Sequence, residues 1–157
     1  MNNDGFTLIE IMVAMVISGI ALMGTLGAVE ASSRYIQQGG LKAKALEFAQ
    51  ARLEAKRSVR WQFLLDDDLD GNGIPETHMV DDGQGLDSTA GDGIYTAMYE
   101  RDGVTVVWTI EAERPGPLRA VPMVMIRAIA SYRGLNGRMR EVQVATIRAN
   151  PNLVGPR

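Results

Sequence analysis

The hydrophobic pattern along the chain changes twice. From Phe6 to Val29 the residues are almost continuously apolar, and Glu10 is the one ionisable side chain in the run. A helix needs roughly 20 such residues to cross a bilayer core. Beyond Val29 the pattern turns amphipathic. Ile36, Leu46, Ala49 and Leu53 recur at helical spacing, while Gln37, Lys42, Lys44, Glu47, Gln50, Glu54 and Lys56 lie between them. This predicts one helix from Phe6 to about Val59, on the order of 80 Å long at 1.5 Å per residue. Gly39-Gly40 is where it would kink or loosen, at about 1 kcal/mol per glycine relative to alanine.

Residues 60–93 hold nine acids and six glycines with little apolar periodicity, which reads as surface loop. The period then becomes two. Tyr95–Tyr99 is a short strand. Val104, Val106, Trp108, Ile110 and Ala112 alternate with Val107, Thr109, Glu111 and Glu113 as a half-buried strand. Pro115-Gly116-Pro117 makes a loop. Met123–Tyr132 is apolar on both faces for much of its length and so a central strand, with Pro122 just ahead of it, where the missing N–H costs the ladder nothing. Asn136-Gly137 signals a hairpin whose two turn positions both accept positive φ. A last strand runs from about Met139 to Arg148, and Asn150-Pro151-Asn152 begins a loose tail. The predicted class is α+β: a long N-terminal helix, membrane-spanning in its first half and amphipathic in its second, packed on a four-stranded antiparallel sheet.

Composition narrows the function. A net charge of −3 argues against a nucleic-acid binder, which would carry a basic stripe. Arg52, Lys56, Arg57 and Arg60 form a modest basic cluster that reads as a solvated or subunit-facing helix side. The absence of cysteine means that no disulfide staples the outer domain. Apart from His78 in the acidic loop there is no histidine, so no nucleophile–base pair or zinc cluster can be assembled. We read no enzyme.

The N-terminus is more specific. Met1–Gly5 is short and polar, and a glycine precedes the apolar core, whereas a secretory signal ends its core at a small-residue cleavage site. Cleavage after Gly5 would free an amine on Phe6, one helical turn from Glu10. A carboxylate inside a span costs about 2.5–3.5 kcal/mol and is by default a functional residue. A bare membrane anchor has no use for it.

Gly5-Phe6-Thr7-Leu8-Ile9-Glu10 with its apolar run resembles the class III signal of type IV prepilins and type II secretion pseudopilins. The resemblance implies that a prepilin peptidase cuts after Gly5 and methylates Phe6, and that Glu10 pairs with a neighbour's N-terminal amine during assembly. It implies a leader at 1–5, a transmembrane or filament-core half-helix at 6–29, and a pilin-like globular domain at 30–157. That domain comprises the amphipathic helix 30–59, the acidic loop 60–93 and the sheet 94–148. The implied partners are other pilins in a homo- or hetero-filament, the inner-membrane assembly platform and, before assembly, membrane lipid. The implied location is single-pass in the inner membrane, then a pilus or periplasmic pseudopilus. Ala45-Leu46-Glu47-Phe48-Ala49-Gln50-Ala51-Arg52-Leu53-Glu54 resembles the A-x-x-x-A-x-x-R-[LI]-E helix of PilV-type minor pilins, and is also similar to minor pseudopilins. This chain departs from the family pattern in carrying Asp4 where leaders usually have Lys or Arg. A membrane-tethered module that never polymerises is the alternative of a different class.

A second motif lies in the loop. Asp68, Asp70, Asn72 and Gly73 match the opening of a calcium loop, D-x-[DN]-x-[DN]-G, with the Ile74 carbonyl next and Glu76 after it. Asp66, Asp68, Asp70 and Gly71 offer a second register. The twelfth position is Met79, so the closing bidentate Glu is missing, and Asp81 or Asp82 could supply it. The stretch resembles the loops of thrombospondin type 3 repeats. Asp87 to Asp92 adds further oxygens. The expected cofactor is Ca2+ at about 0.1–1 mM; the plain alternative is a solvated acidic loop.

Overall fold

The computed structural model describes residues 7–114 and 116–153. Gly5 and Phe6 lie outside them. The chain forms two units, Met1–Gly40 and Leu41–Arg157, and each is described by itself.

Helix α1 spans Leu8–Ser58 and is assigned without interruption through Gly39 and Gly40. In the first unit its apolar side chains are exposed, with Leu8, Met15, Ile20 and Leu26 each about two-thirds uncovered or more. The helix is long and apolar enough to cross a membrane. An apolar surface of this extent needs lipid or protein around it.

In the second unit, Leu41–Ser58 packs on a four-stranded antiparallel sheet of order β3-β4-β5-β6. Its strands are β3 (Ile94–Arg101), β4 (Val104–Ala112), β5 (Met123–Arg133) and β6 (Met139–Ala149). Ala45 and Ala49, one turn apart, are fully buried in the same cluster as Val106, Trp108, Ile110, Ile126 and Ala128. Small side chains on that helix face bring its backbone close to the sheet. Phe48, Tyr99 and Trp108 continue the contact as tilted rings, 6.5 and 5.7 Å between centroids.

The two central strands bury alternate residues, as period two requires, while their other faces are half-buried. Met123–Tyr132 is therefore central, though not buried on both faces. The β3–β4 turn uses Asp102 and Gly103, both at positive φ (52° and 73°), the backbone of a type I′ hairpin. At the second hairpin Gly137 is at positive φ (74°) and Asn136 is not. Gly134 pairs with Arg138, and the Gly137 amide bonds Gly134, so the connection is a three-residue turn ending in a left-handed glycine. One residue more than the two-residue turn removes the need for a second left-handed position.

The segment 60–93 is more ordered than its composition suggests. Trp61–Phe63 is a short 3-10 helix, β1 (Asp66–Asp67) pairs with β2 (Thr77–His78), and Val80 bridges to Thr96. Trp61, Leu64 and Met79 are buried, and these scattered apolar residues pin a segment with no visible period. Asn150 is also fully buried; its side-chain amide donates to the carbonyls of Val121 and Arg119. Asn150, read from the sequence as the start of a loose tail, is therefore a fixed corner.

Candidate functional sites

Thr7 and Glu10 close the start of α1 on each other. The Glu10 carboxylate accepts from the Thr7 amide at 3.0 Å and the Thr7 hydroxyl at 3.1 Å, while Thr7 Oγ1 accepts from the Glu10 amide at 3.3 Å. This reciprocal capping box satisfies donors that the first turn leaves unpaired. The sequence carries the signal for it as Thr-x-x-Glu before an apolar run, so Glu10 has a local structural partner beside the assembly role.

At the other end of the helix Lys56 is buried, not solvated. Its Nζ lies 2.8 Å from Asp67 Oδ2 and donates to the carbonyls of Leu64 at 2.7 Å and Asp66 at 3.1 Å. Trp108 Nε1 donates to the same Asp67 oxygen at 2.9 Å. Desolvation pulls the Lys56 ammonium below its ordinary value, and the Asp67 charge opposes that shift. Of the four-residue basic cluster, Arg57 and Arg60 are exposed. Arg52 lies over the Tyr99 ring at 5.3 Å, with Nε and Nη1 buried. Periodicity could not identify Lys56 as the buried member because its partner comes from a loop. Arg148 of β6 also reaches the helix end, bonding the carbonyls of Lys56 and Val59.

Between β1 and β2 the acidic loop turns back on itself. Asp68, Asp70 and Glu76 bring carboxylate oxygens within 4.8 Å of one another. Asp68 accepts from the amides of Gly73 (2.7 Å), Gly71 (2.6 Å) and Asn72 (3.1 Å). The Gly73 bond, then those of Gly71 and Asn72, hold its carboxyl below the usual carboxylate range against a partial desolvation cost. Asn72 Nδ2 donates to Asp70 at 2.9 Å and Glu76 at 3.3 Å, a partially positive group where the carboxylates converge. Asp66 is turned away: its Oδ1 lies 2.7 Å from His78 Nδ1, outside that group. Ile74 exposes its side chain, and its amide bonds Asn72 Oδ1.

Asp81, Asp87 and Asp92 form a second convergent group, so Asp81 does not close the first loop. Asp81 accepts from the Gly93 and Gly91 amides, Asp87 from Gly83 and Thr89, and Asp92 from Ile94. The Gly83 bond holds Asp87 below the usual carboxylate range. Gly83 sits at φ 70°, where a Cβ would come 2.7 Å from the Ala90 nitrogen, so only glycine fits this turn. The carboxylates of both groups thus order loop backbone, and their converging oxygens are of the type that binds hard cations.

No curated protein and no solved structure matches the chain. Residues 1–26 match the prokaryotic N-terminal methylation motif. The chain carries the class III signal of type IV pilin-like proteins.

Proposed function

We propose that the chain is the precursor of a minor pilin, processed by prepilin peptidase and built into, or priming, a type IV pilus. The observation that carries this reading is the methylation motif at 1–26 coinciding with a membrane-length helix whose first turn holds Glu10. The family of that motif is structural rather than catalytic.

The sequence of events is membrane insertion, cleavage after Gly5, methylation of Phe6 and polymerisation. In the isolated subunit the Glu10 carboxylate is hydrogen-bonded by Thr7, which lowers the cost of holding it in lipid. In a filament core a neighbour's amine takes the charge. Opposite charges attract strongly at low dielectric, and an unpaired Glu10 costs several kcal/mol, so the pair sets register.

The helix segment Ala45–Glu54 is also similar to minor pseudopilins of type II secretion, which makes that the second reading. A non-polymerising, membrane-tethered calcium module is the third. Mass spectrometry of sheared filaments and of membranes from the native cell separates them. A peptide starting at N-methyl-Phe6 in filaments supports the pilin. The same peptide confined to membranes supports the pseudopilin, and an intact Met1 everywhere supports the unprocessed anchor.

We also propose that the loop 68–76 takes Ca2+. Asp68, Asp70 and Glu76 supply the charge, with the Asn72 amide rotated to present its oxygen; the Ile74 carbonyl remains a candidate ligand, and Asp66 would have to leave His78 to join. Bound there, the ion would neutralise three converging carboxylates and clamp a loop that has no disulfide.

A further inference from the structure

Among the described residues, the sheet ends on one side in an open edge, β6. At one end of the β5–β6 ladder Asn150 donates to Pro122 at 2.7 Å, and at the other Gly134 donates to Arg138 at 2.9 Å. Both continue the register that pairs Met123 with Ala149 and Arg133 with Met139. Bonded pairs alternate along an antiparallel ladder, so the even residues from Arg140 to Arg148 bond to β5. The N–H and C=O groups of Met139, Glu141, Gln143, Ala145, Ile147 and Ala149 therefore point away from the sheet.

An edge of this kind is a template for another strand unless something blunts it. β6 contains no proline and no glycine, and Val142–Ile147 carries no charge. The opposite edge is treated differently, because the Thr96 amide of β3 bonds the Val80 carbonyl of the loop. Met139 and Ile147, 59% and 68% exposed, add apolar side chains along the open edge.

A second copy is a poor occupant. Antiparallel pairing of β6 with another β6 sets the basic Arg138 and Arg140 end of each strand against Arg148 of the other, like charge against like charge. Charge points instead to a different chain. Residues 94–157 carry nine arginines against five acids. Arg133 and Arg138 are exposed at the Met139 end of β6, with Arg140 beside them. Glu141 on the same strand is bonded by Ser131, and Glu100 and Asp102 lie at that end on the far side of the sheet, Asp102 paired with Lys44. A strand added antiparallel to β6 brings its C-terminal end to these arginines. We infer that β6 is a strand-addition site for an extended segment of another polypeptide, apolar at alternate positions and acidic at its C-terminal end.

The test uses the full chain in detergent micelles, isotope-labelled, and two synthetic peptides. One is Thr-Val-Thr-Val-Thr-Val-Asp-Glu; the other ends in Lys-Lys. The acidic peptide is expected to slow amide exchange at Gln143, Ala145 and Ile147 while leaving Val142 and Val144 unchanged. Ala145→Pro removes an outward N–H, which an edge strand tolerates, and should weaken binding about tenfold or more with the thermal melt unaltered. If that variant does not fold, Arg133→Glu with Arg138→Glu should abolish the preference for the acidic peptide. Absence of binding, protection elsewhere than at the odd residues, or equal binding of the two peptides overturns the proposal. The outcome does not depend on whether the chain polymerises.

Discussion

Lys56 and Asp67 meet 2.8 Å apart with side chains 1% and 2% exposed, joining the last turn of the helix to the start of the acidic loop. Trp108 of the second strand of the main sheet donates to the same carboxylate. Three segments that approach from different parts of the chain are thereby held at one buried polar point. Burying the pair carries a desolvation cost, and the geometry offsets it because Lys56 also finds the carbonyls of Leu64 and Asp66.

Removing one member strands the other. Lys56→Met is expected to destabilise the outer domain by about 3–5 kcal/mol, since Asp67 is left charged and buried. Adding Asp67→Leu to that variant should restore part of the loss. Urea unfolding of the wild type, both single variants and the double variant measures the coupling; strict additivity would show that the pair does not act as a unit.

Glu10 is expected to matter after processing, not before it. Glu10→Ala should still be cut after Gly5 and yet be missing from filaments, because the charge that selects a neighbour's amine is gone. Normal incorporation of the variant, followed by immunoblot of the sheared fraction, would count against the assembly role. Thr7→Val, which removes the hydroxyl half of the capping box and keeps the amide bond to Glu10, should loosen the first turn and reduce incorporation less than Glu10→Ala does.

Calcium bound at the loop 68–76 should stabilise the folded outer domain. At tenfold excess over a Kd of about 0.1–1 mM, linkage gives roughly 1.4 kcal/mol. Asp68→Asn should remove most of that gain, and chelation should reverse it. Trp108 fluorescence is the readout, because its indole bonds Asp67 beside the loop. A melting curve identical with and without Ca2+ would leave the acids with their backbone-capping role only.

Acid should loosen both acidic turns. Asp68 and Asp87 are held below the usual carboxylate range in the fold, chiefly by the Gly73 and Gly83 amides. In the unfolded chain they titrate near about 3.9. Their contribution is therefore present above that value and is lost as pH falls through the lower folded values. The amide resonances of Gly73 and Gly83 should move together below about pH 4, while those of the central strands stay in place. Simultaneous loss of the sheet would mean that the turns do not titrate locally.

The legible part of this protein is the part governed by local pattern. The apolar run, the switch to period two, the Asn136-Gly137 hairpin and the methylation signal each depend on neighbours within a few residues. Helix, strands and their antiparallel class follow from those alone. Glu10 was visible as a misplaced charge, and its cap with Thr7 was visible too, as a four-residue pattern.

What tertiary structure decided lies in the segment between helix and sheet. Nothing local separates Asp67 from its neighbours Asp66 and Asp68. Yet one is buried against Lys56 and Trp108, one faces His78 and one folds a turn around its own carboxylate. Likewise Lys56 looks like any helix-surface lysine until a loop supplies its partner. Such assignments depend on which chain segments meet in space. Burial then selects among chemically equal residues, because a charge removed from water must find its opposite there.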